Sequence, residues 1–409
     1  MEIEKIYDVV LYGATGFTGK QTVAYFLEYA PSHLKWAIAG RNRQKLEQVK
    51  SELGSRANQI DVITADSQNS AQVDAMVKNT RVLLTTVGPY DTYGRLLVDA
   101  CVRFQTDYVD ITGETPFVKY LIDTYHETAK VKGIKIIPMC GFDSVPSDIG
   151  TFVVAKYIKE SLKQQCLEVK SFFQVFGGFN GGTLNTALTL TEEEQIEQFL
   201  DPIVLNPEQQ KTESERDRSR DQVLPKFDTD LWLWVAPFFM APINTRVVRR
   251  SNALLSEEGK EYNKNFTYHE YLAPIPGISF IQAAGILAAT SIGMNITQNP
   301  AIRDVIQKVL PAPGEGPSEF LMDNGFFEAK FIATTSDGKK IKAIVKDKGD
   351  PNNRVTVKCL CESALALVLQ RKELPGGEKK GGILTPATGL GDVLVTRLKN
   401  AGMRIEVVP

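Results

Sequence analysis

Three glycines spaced by three, Gly13, Gly16 and Gly19 in GATGFTG, follow the short apolar run YDVVLY near the start of the chain. They precede a stretch in which Val23, Phe26 and Leu27 recur at helical spacing. Glycines at a strand-to-helix junction let the chain turn tightly, let backbone N–H groups approach a pyrophosphate, and let helix and strand pack closely. The pattern is GxxGxxG rather than GxGxxG, so its position carries more weight than its spelling. Gly13, Ala14, Thr15, Gly16, Phe17, Thr18 and Gly19 are therefore the candidate cradle for a dinucleotide pyrophosphate.

The end of the second apolar run, LKWAIAG, bears on which dinucleotide. A site for NAD usually places Asp or Glu there for the ribose 2′-hydroxyl. This chain has Gly40-Arg41-Asn42-Arg43 instead. Arg41 can clamp a 2′-phosphate or stack on the adenine, with Asn42 and Arg43 beside it, so NADP(H) is the expected cofactor. The alternative is that these arginines are a solvated loop.

Further candidates end the later strands, where ligands gather in an open α/β sheet. Gly88 and Pro89 in TTVGPYDTYG should border the nicotinamide end, with Tyr90 and Tyr93 as candidate hydrogen-bond or proton donors. Packing on the cofactor ring is the alternative for each tyrosine. Thr112-Gly113-Glu114 and the loop Cys140-Gly141-Phe142-Asp143-Ser144 occupy equivalent places, and Asp143 is a candidate for orienting a donor or the nicotinamide amide.

The elements that must hold these groups alternate regularly. YDVVLY, LKWAIAG, DVITAD, RVLLTTVG, TDYVDITG and IKIIPMC read as strands. Helical patterns fall at Thr18–Tyr29, QKLEQVKSEL, Gln72–Lys78, Gly94–Arg103 and Phe117–Lys132. Strands apolar on both faces and alternating with helices predict a parallel sheet covered on each side: an α/β fold of the doubly wound, Rossmann type. Residues 1–148 form this expected domain, 149–358 a second α+β domain facing substrate or lipid, and 359–409 a C-terminal segment packing back on its neighbour.

The bulk numbers narrow the classes further. The 409 residues carry 47 Lys+Arg against 49 Asp+Glu, a formal charge of -2, which gives no basic excess for nucleic acid. Five scattered cysteines and three histidines offer neither a disulfide framework nor metal-ligand spacing, so no metal is expected. MEIEKIYD lacks an apolar signal region, and a reducing, cytoplasmic location is the expectation.

The second half is less legible. GTFVVAKYIKESLKQQ reads as a helix, VKSFFQVFGGFNGG as a strand entering a glycine turn, and Pro207–Asp230 as a charged loop, exposed helix or lid. LWLWVAPFFMAPINTRVVRRSNAL sets aromatics beside Arg246, Arg249 and Arg250. It is either a core strand whose arginines pair with acids or an acyl pocket with a basic mouth. No charged side chain occurs from Tyr271 to Ile302, and residues 277–296 are long enough for a bilayer span. Their polar and small residues favour a buried or interfacial helix, with peripheral membrane contact as one consequence. FFEAKFIATTSDGKKIKAIVKD reads as a hairpin turning at Asp337-Gly338. RVTVKCLCESALALVLQ should pass from strand to helix with Cys359 and Cys361 as packing residues, and GLGDVLVTRLKNAGMRIEVVP from helix to strand.

VGPYDTYG, DACVRFQTDYVDITGE and CGFDSVPSD resemble blocks of the saccharopine dehydrogenase-like superfamily, and its trans-acting enoyl reductase branch most closely. GGFNGGTLNT, APFFMAPINTRVVRRSNAL, PAPGEGPSE, CESALAL and GGILTPATGLGDVLVTRL continue the resemblance in order along nearly the whole chain, with GDPNN a local departure. The resemblance implies an NADP-binding Rossmann domain, a second α+β domain, and action on lipid-like acyl chains. The expected activity is NADPH-dependent reduction of the C=C of a fatty-acyl or polyketide-type enoyl thioester, with a carrier protein or synthase as partner. The alternatives are a saccharopine-type amino-acid or imine dehydrogenase, and a non-catalytic NADPH-binding protein associated with lipid or membrane. Oligomeric state is left open.

Overall fold

The first strand, β1 (Tyr7–Tyr12), ends in four consecutive buried residues, because both its faces are covered. It pairs in parallel with β2 (Trp36–Gly40) on one side and β4 (Thr80–Thr85) on the other, with Tyr12 opposite Ala39 and Thr85. β3 (Asp61–Thr64), β5 (Asp107–Asp110) and β6 (Lys135–Ile137) extend this sheet in parallel. A two-residue strand late in the chain, β13 (Gly382–Ile383), pairs in parallel with β6. The order is β13-β6-β5-β4-β1-β2-β3, the doubly wound Rossmann arrangement with one added strand. These observations come from a computed structural model, which describes residues 5–178, 197–198, 200–274, 277–285 and 316–408.

The chain divides into two units. The first comprises Met1–Val145, Pro313–Gly316 and Asn352–Gly402; the second comprises Pro146–Ala312, Pro317–Pro351 and Met403–Pro409. The division differs from the expected boundaries. A cut at 358/359 would split the helix Thr356–Leu369, nearly every residue of which is buried. That helix packs against β4 and β5 in the first unit. Its Glu362 accepts from the Tyr25 hydroxyl at 2.7 Å and from Arg397 Nε at 2.7 Å, joining three helices of the same unit. RVTVK is not a strand: a π-helical turn, Pro351–Val355, leads straight into the helix, burial on all sides overriding the β preference of its valines.

In the second unit the strands are β7 (Cys166–Phe176), β8 (Lys226–Asp228), β9 (Leu233–Pro237), β10 (Thr267–Leu272), β11 (Phe326–Thr335), β12 (Lys340–Lys348) and β14 (Arg404–Val408). They form a mixed sheet in the order β14-β12-β11-β7-β10-β9-β8, with β7 and β10 parallel. β11 and β12 are the expected hairpin, and Gly338 in its turn has a φ of 83°. The helices Val145–Glu160 and Ala241–Ser256 belong to this unit from Pro146 onward. Gly150 lets the first of them lie against Phe331, since a Cβ there would meet the ring at 2.3 Å. On one side of the sheet Phe172, Val235, Tyr271 and Ile332 form an apolar cluster.

Among the described residues no helix is long and apolar enough to cross a membrane. The candidate span at 277–296 is described only to residue 285, and most of GGFNGGTLNT and PAPGEGPSE lies outside the described residues. No disulfide joins the five buried cysteines.

Candidate functional site

The glycine turn owes its shape to backbone constraints. Gly13 has a φ of 93°, which favours glycine, and its amide donates to Ala39 O at 2.9 Å, tying the turn to β2. A Cβ on Gly19 would meet Gly13 O at 2.1 Å, so the helix Phe17–Tyr29 can start this close to β1 only with glycine there. The helix is capped by Gly16 with no side-chain hydrogen bond and carries no acid in its first turn. Its leading amides and dipole are thus left for an anion, and the cradle fits a dinucleotide pyrophosphate. The Phe17 ring packs against Gly316, where a Cβ would run into it. Ala14 is buried, while Thr15 and Thr18 are half-buried.

Arg41 follows β2 directly and is exposed. No hydrogen bond or ion pair to another described residue holds it, whereas Arg43 pairs with Glu47 at 3.2 Å. Asn42 is occupied otherwise than expected, as its carboxamide caps the helix Arg43–Glu52 by accepting from the Lys45 amide at 3.0 Å. A 2′-phosphate would find a planar cation here, in a strand-end sequence Gly40-Arg41-Asn42-Arg43 that carries no acid.

The loop after β4 meets the glycine turn. Thr86 donates through its amide to Tyr12 O at 3.1 Å, and a Cβ on Gly13 would strike the Val87 side chain at 2.5 Å. Gly88 is exposed and is joined to Pro89 by a cis peptide bond, leading into the one-turn helix Tyr90–Tyr93. The two tyrosines of that turn differ. Tyr90 is buried, its hydroxyl turned 3.4 Å from Thr85 O and its ring 6.1 Å from that of Phe117. Burial and the nearby Asp110 carboxylate hold its phenol well above the usual range, and with its ring inside and its hydroxyl turned to Thr85 O, Tyr90 is placed as a packing residue. Tyr93 is half-buried, and its hydroxyl makes no hydrogen bond to another described residue. Asp143 lies half-buried in the loop after β6, whose Phe142 amide donates to Thr356 Oγ1 at 3.1 Å.

Two carboxylates to which the sequence assigned no role organise these loops. Asp110, at the end of β5, is fully buried and accepts from the amides of Thr112 and Met139 at 3.0 and 2.9 Å and from the Tyr108 hydroxyl at 2.8 Å. Burial pushes it up to about 7 against those hydrogen bonds. Glu114 accepts from the Tyr90 and Asp91 amides, each at 2.8 Å; burial raises its pKa while the two amides oppose the rise. The signal available in the sequence was an acid closing the otherwise apolar run YVD, with a second acid four residues on.

In the second unit the arginines of the aromatic segment lie on the helix Ala241–Ser256, fully inside. Arg246 pairs with Asp221 at 2.5 Å and Arg249 with the same carboxylate at 3.5 Å. Arg249 also donates to the carbonyls of Pro202 and Tyr268, and Arg250 to that of Leu205. Nearby, Glu270 accepts from Tyr268 at 2.6 Å and Asn244 at 3.0 Å. The basic mouth is thus corrected to a structural core, its counter-charge supplied by the acid-rich stretch read as a loop or lid. Among the described residues no group of His, Cys, Asp or Glu is arranged to hold a metal.

Comparison with known proteins identifies this architecture. Residues 9–137 match the saccharopine dehydrogenase NADP-binding domain. The trans-acting enoyl reductases of Mycobacterium tuberculosis and Mycobacterium leprae are each 35% identical, over 98% of this chain and 97% of theirs. Saccharopine dehydrogenase (L-Glu forming) from Saccharomyces cerevisiae superposes over 98% of this chain and 100% of its own, with a TM-score of 0.51 at 14% identity. Homospermidine synthase from Legionella pneumophila, solved with NAD, covers 99% of this chain and 92% of its own, with a TM-score of 0.53 at 12% identity. The chain belongs to the trans-acting enoyl reductase family and is an NADP-dependent oxidoreductase with the saccharopine dehydrogenase fold.

Proposed function

We propose that this protein reduces the carbon–carbon double bond of an enoyl thioester of fatty-acyl or polyketide type, presented by a separate carrier protein or synthase. Full-length kinship with proteins named trans-acting enoyl reductases supports the reaction class. The single observation that carries the choice of substrate is the fate of Arg246, Arg249 and Arg250. They are held by Asp221 and by backbone carbonyls inside the second unit, so that motif leaves no guanidinium for the carboxylates of an imino-acid substrate. Exposed Trp232, Ile278, Phe280 and Ile281 in the same unit suit an apolar chain better than an amino acid.

When bound, NADPH supplies the hydride equivalent that the β-carbon needs. The glycine turn and the leading amides of Phe17–Tyr29 would hold the pyrophosphate, and Arg41 would hold the 2′-phosphate. The thioester oxygen requires a hydrogen-bond donor as charge develops on it, and the α-carbon requires a proton to complete the saturated product. Tyr93 is the side chain assigned to this work, because its hydroxyl is not committed within the described fold and Tyr90's is turned inward.

The test is NADPH oxidation with enoyl thioesters of rising chain length, on coenzyme A and on a phosphopantetheinyl carrier, beside mixtures of oxo acids and amines. Turnover confined to the imine mixtures would overturn the proposal. Tyr93→Phe should lower kcat by about a hundredfold with NADPH affinity intact, and Tyr90→Phe should leave kcat near wild type. Loss of cofactor affinity in step with kcat would make Tyr93 a packing residue instead.

A further inference from the structure

We infer that Glu114 is a positioning residue for the reduction, aiming the Tyr90–Tyr93 turn; this rests on the proposed function. The carboxylate is buried, it comes from the loop after β5, and it reaches across 24 residues of chain to accept the amides of Tyr90 and Asp91 at 2.8 Å each. The side chain bonds these amides rather than the side chains beside them, so what it fixes is the direction in which the turn leaves Pro89. Its own placement is fixed twice. Its amide donates to Thr112 Oγ1 at 3.0 Å, and it stands immediately before the helix Thr115–Lys132.

The other end of the turn is fixed by contact. The Gly94 amide donates to Tyr90 O at 2.7 Å, and a Cβ on Gly94 would come within 2.9 Å of the Phe117 ring, which lies on that same helix. Tyr93 is therefore carried by a one-turn element clamped at its start by Glu114 and at its end by Phe117. The Asp110 carboxylate holds the neighbouring loop ends through the amides of Thr112 and Met139. Two buried carboxyl groups thus set three loops at the carboxyl edge of one sheet, and of the two it is Glu114 that hydrogen-bonds the loop bearing the proposed donor. A carboxylate offers each amide an acceptor oxygen, whereas a carboxamide offers one oxygen and turns an N–H against the second amide. Misplacing a donor by about an ångström is enough to cost about a hundredfold in rate.

The experiment compares wild type, Glu114→Gln and Glu114→Asp in the full chain, reading kcat, the NADPH dissociation constant, the thermal midpoint and amide hydrogen exchange across residues 88–95. Glu114→Gln should speed exchange at the Tyr90 and Asp91 amides by about tenfold or more and lower kcat by about ten- to a hundredfold, with NADPH affinity within about threefold of wild type. Glu114→Asp keeps the charge but is one methylene shorter; it should show the same pattern in weaker form, and it carries the test if Glu114→Gln does not fold. Faster exchange with unchanged kcat would overturn the inference, as would kcat and affinity falling together with the thermal midpoint. If wild type reduces no enoyl thioester, the proposed function fails by itself. The inference is then read from exchange alone: NADPH should slow exchange at Tyr93 and Gly94 in wild type and not in Glu114→Gln, and equal slowing in both would overturn it.

Discussion

Arginine behaves in opposite ways in the two units. Arg41 stands in solvent just past β2, held by no other described residue, near a helix that opens with no side-chain cap and no acid in its first turn. Arg246, Arg249 and Arg250 lie inside the second unit, joined to Asp221 and to carbonyls of residues 200–205 and 268. In the sequence both groups look like anion binders. A guanidinium is available to a ligand only where the fold has not already supplied its counter-charge. A buried arginine must be matched internally, because an uncompensated charge in the interior costs several kcal/mol.

Arg249→Ala leaves Asp221 with one fewer cation and takes a charged donor from two carbonyls, and should cost about 3–5 kcal/mol in unfolding free energy. Chemical denaturation would show this, with NADPH affinity of the folded protein unchanged. A variant as stable as wild type that bound NADPH poorly would reverse the roles assigned to the two arginine groups.

Arg41→Asp should do the converse. Charged hydrogen bonds of about 1.5–3 kcal/mol would be lost, weakening NADPH by about ten- to a hundredfold while NADH is little affected. As an exposed substitution it should change stability by no more than about 0.5 kcal/mol. An unchanged preference between the two cofactors would remove the assignment of the 2′-phosphate to Arg41.

A smaller effect sharpens the picture of the interior network. Glu270, beside the arginine helix, is pushed up from its usual 4.5 to about 7 by burial, its hydrogen bonds from Tyr268 and Asn244 opposing the shift. The folded state therefore holds this proton more tightly than the unfolded chain. The group's contribution to stability is fully present below pH 4.5 and is lost as pH rises from there to about 7. Glu270→Gln should flatten the fall in stability over that interval by about 1–3 kcal/mol, measured by denaturation at pH 5 and pH 7.5. An identical slope in the variant would assign the titration to another group.

How much of the site could be read in advance followed sequence distance. The glycine turn, Arg41 and the loop after β4 lie within or next to strands whose apolar runs are unmistakable, so their place at the carboxyl edge of a parallel sheet was legible. Asn42 shows the ambiguity of a polar residue before a helix, which serves equally as a ligand contact or a cap; in the fold its carboxamide caps. Tyr90 and Tyr93 are three residues apart in one turn, and nothing in YDTY indicates which ring goes inward. Glu114 was visible as a loop acid, but its partners are 24 and 23 residues away.

By itself the sequence determined the first unit's alternation, its glycine-lined junction and the missing acid after β2. Each of these depends on contacts between near neighbours, on hydrophobic period, or on the φ freedom of glycine. Only the tertiary structure decided which charges were internal and which were left outward. It also decided where the chain's end belongs: Thr356–Leu369 lies in the first unit through Tyr25 and Arg397, and β14 lies in the second through β12. The physical reason is that a buried polar group is stable only with its partner in place. Glu362 finds one 337 residues away and Arg246 finds one 25 residues away, separations that no local pattern encodes.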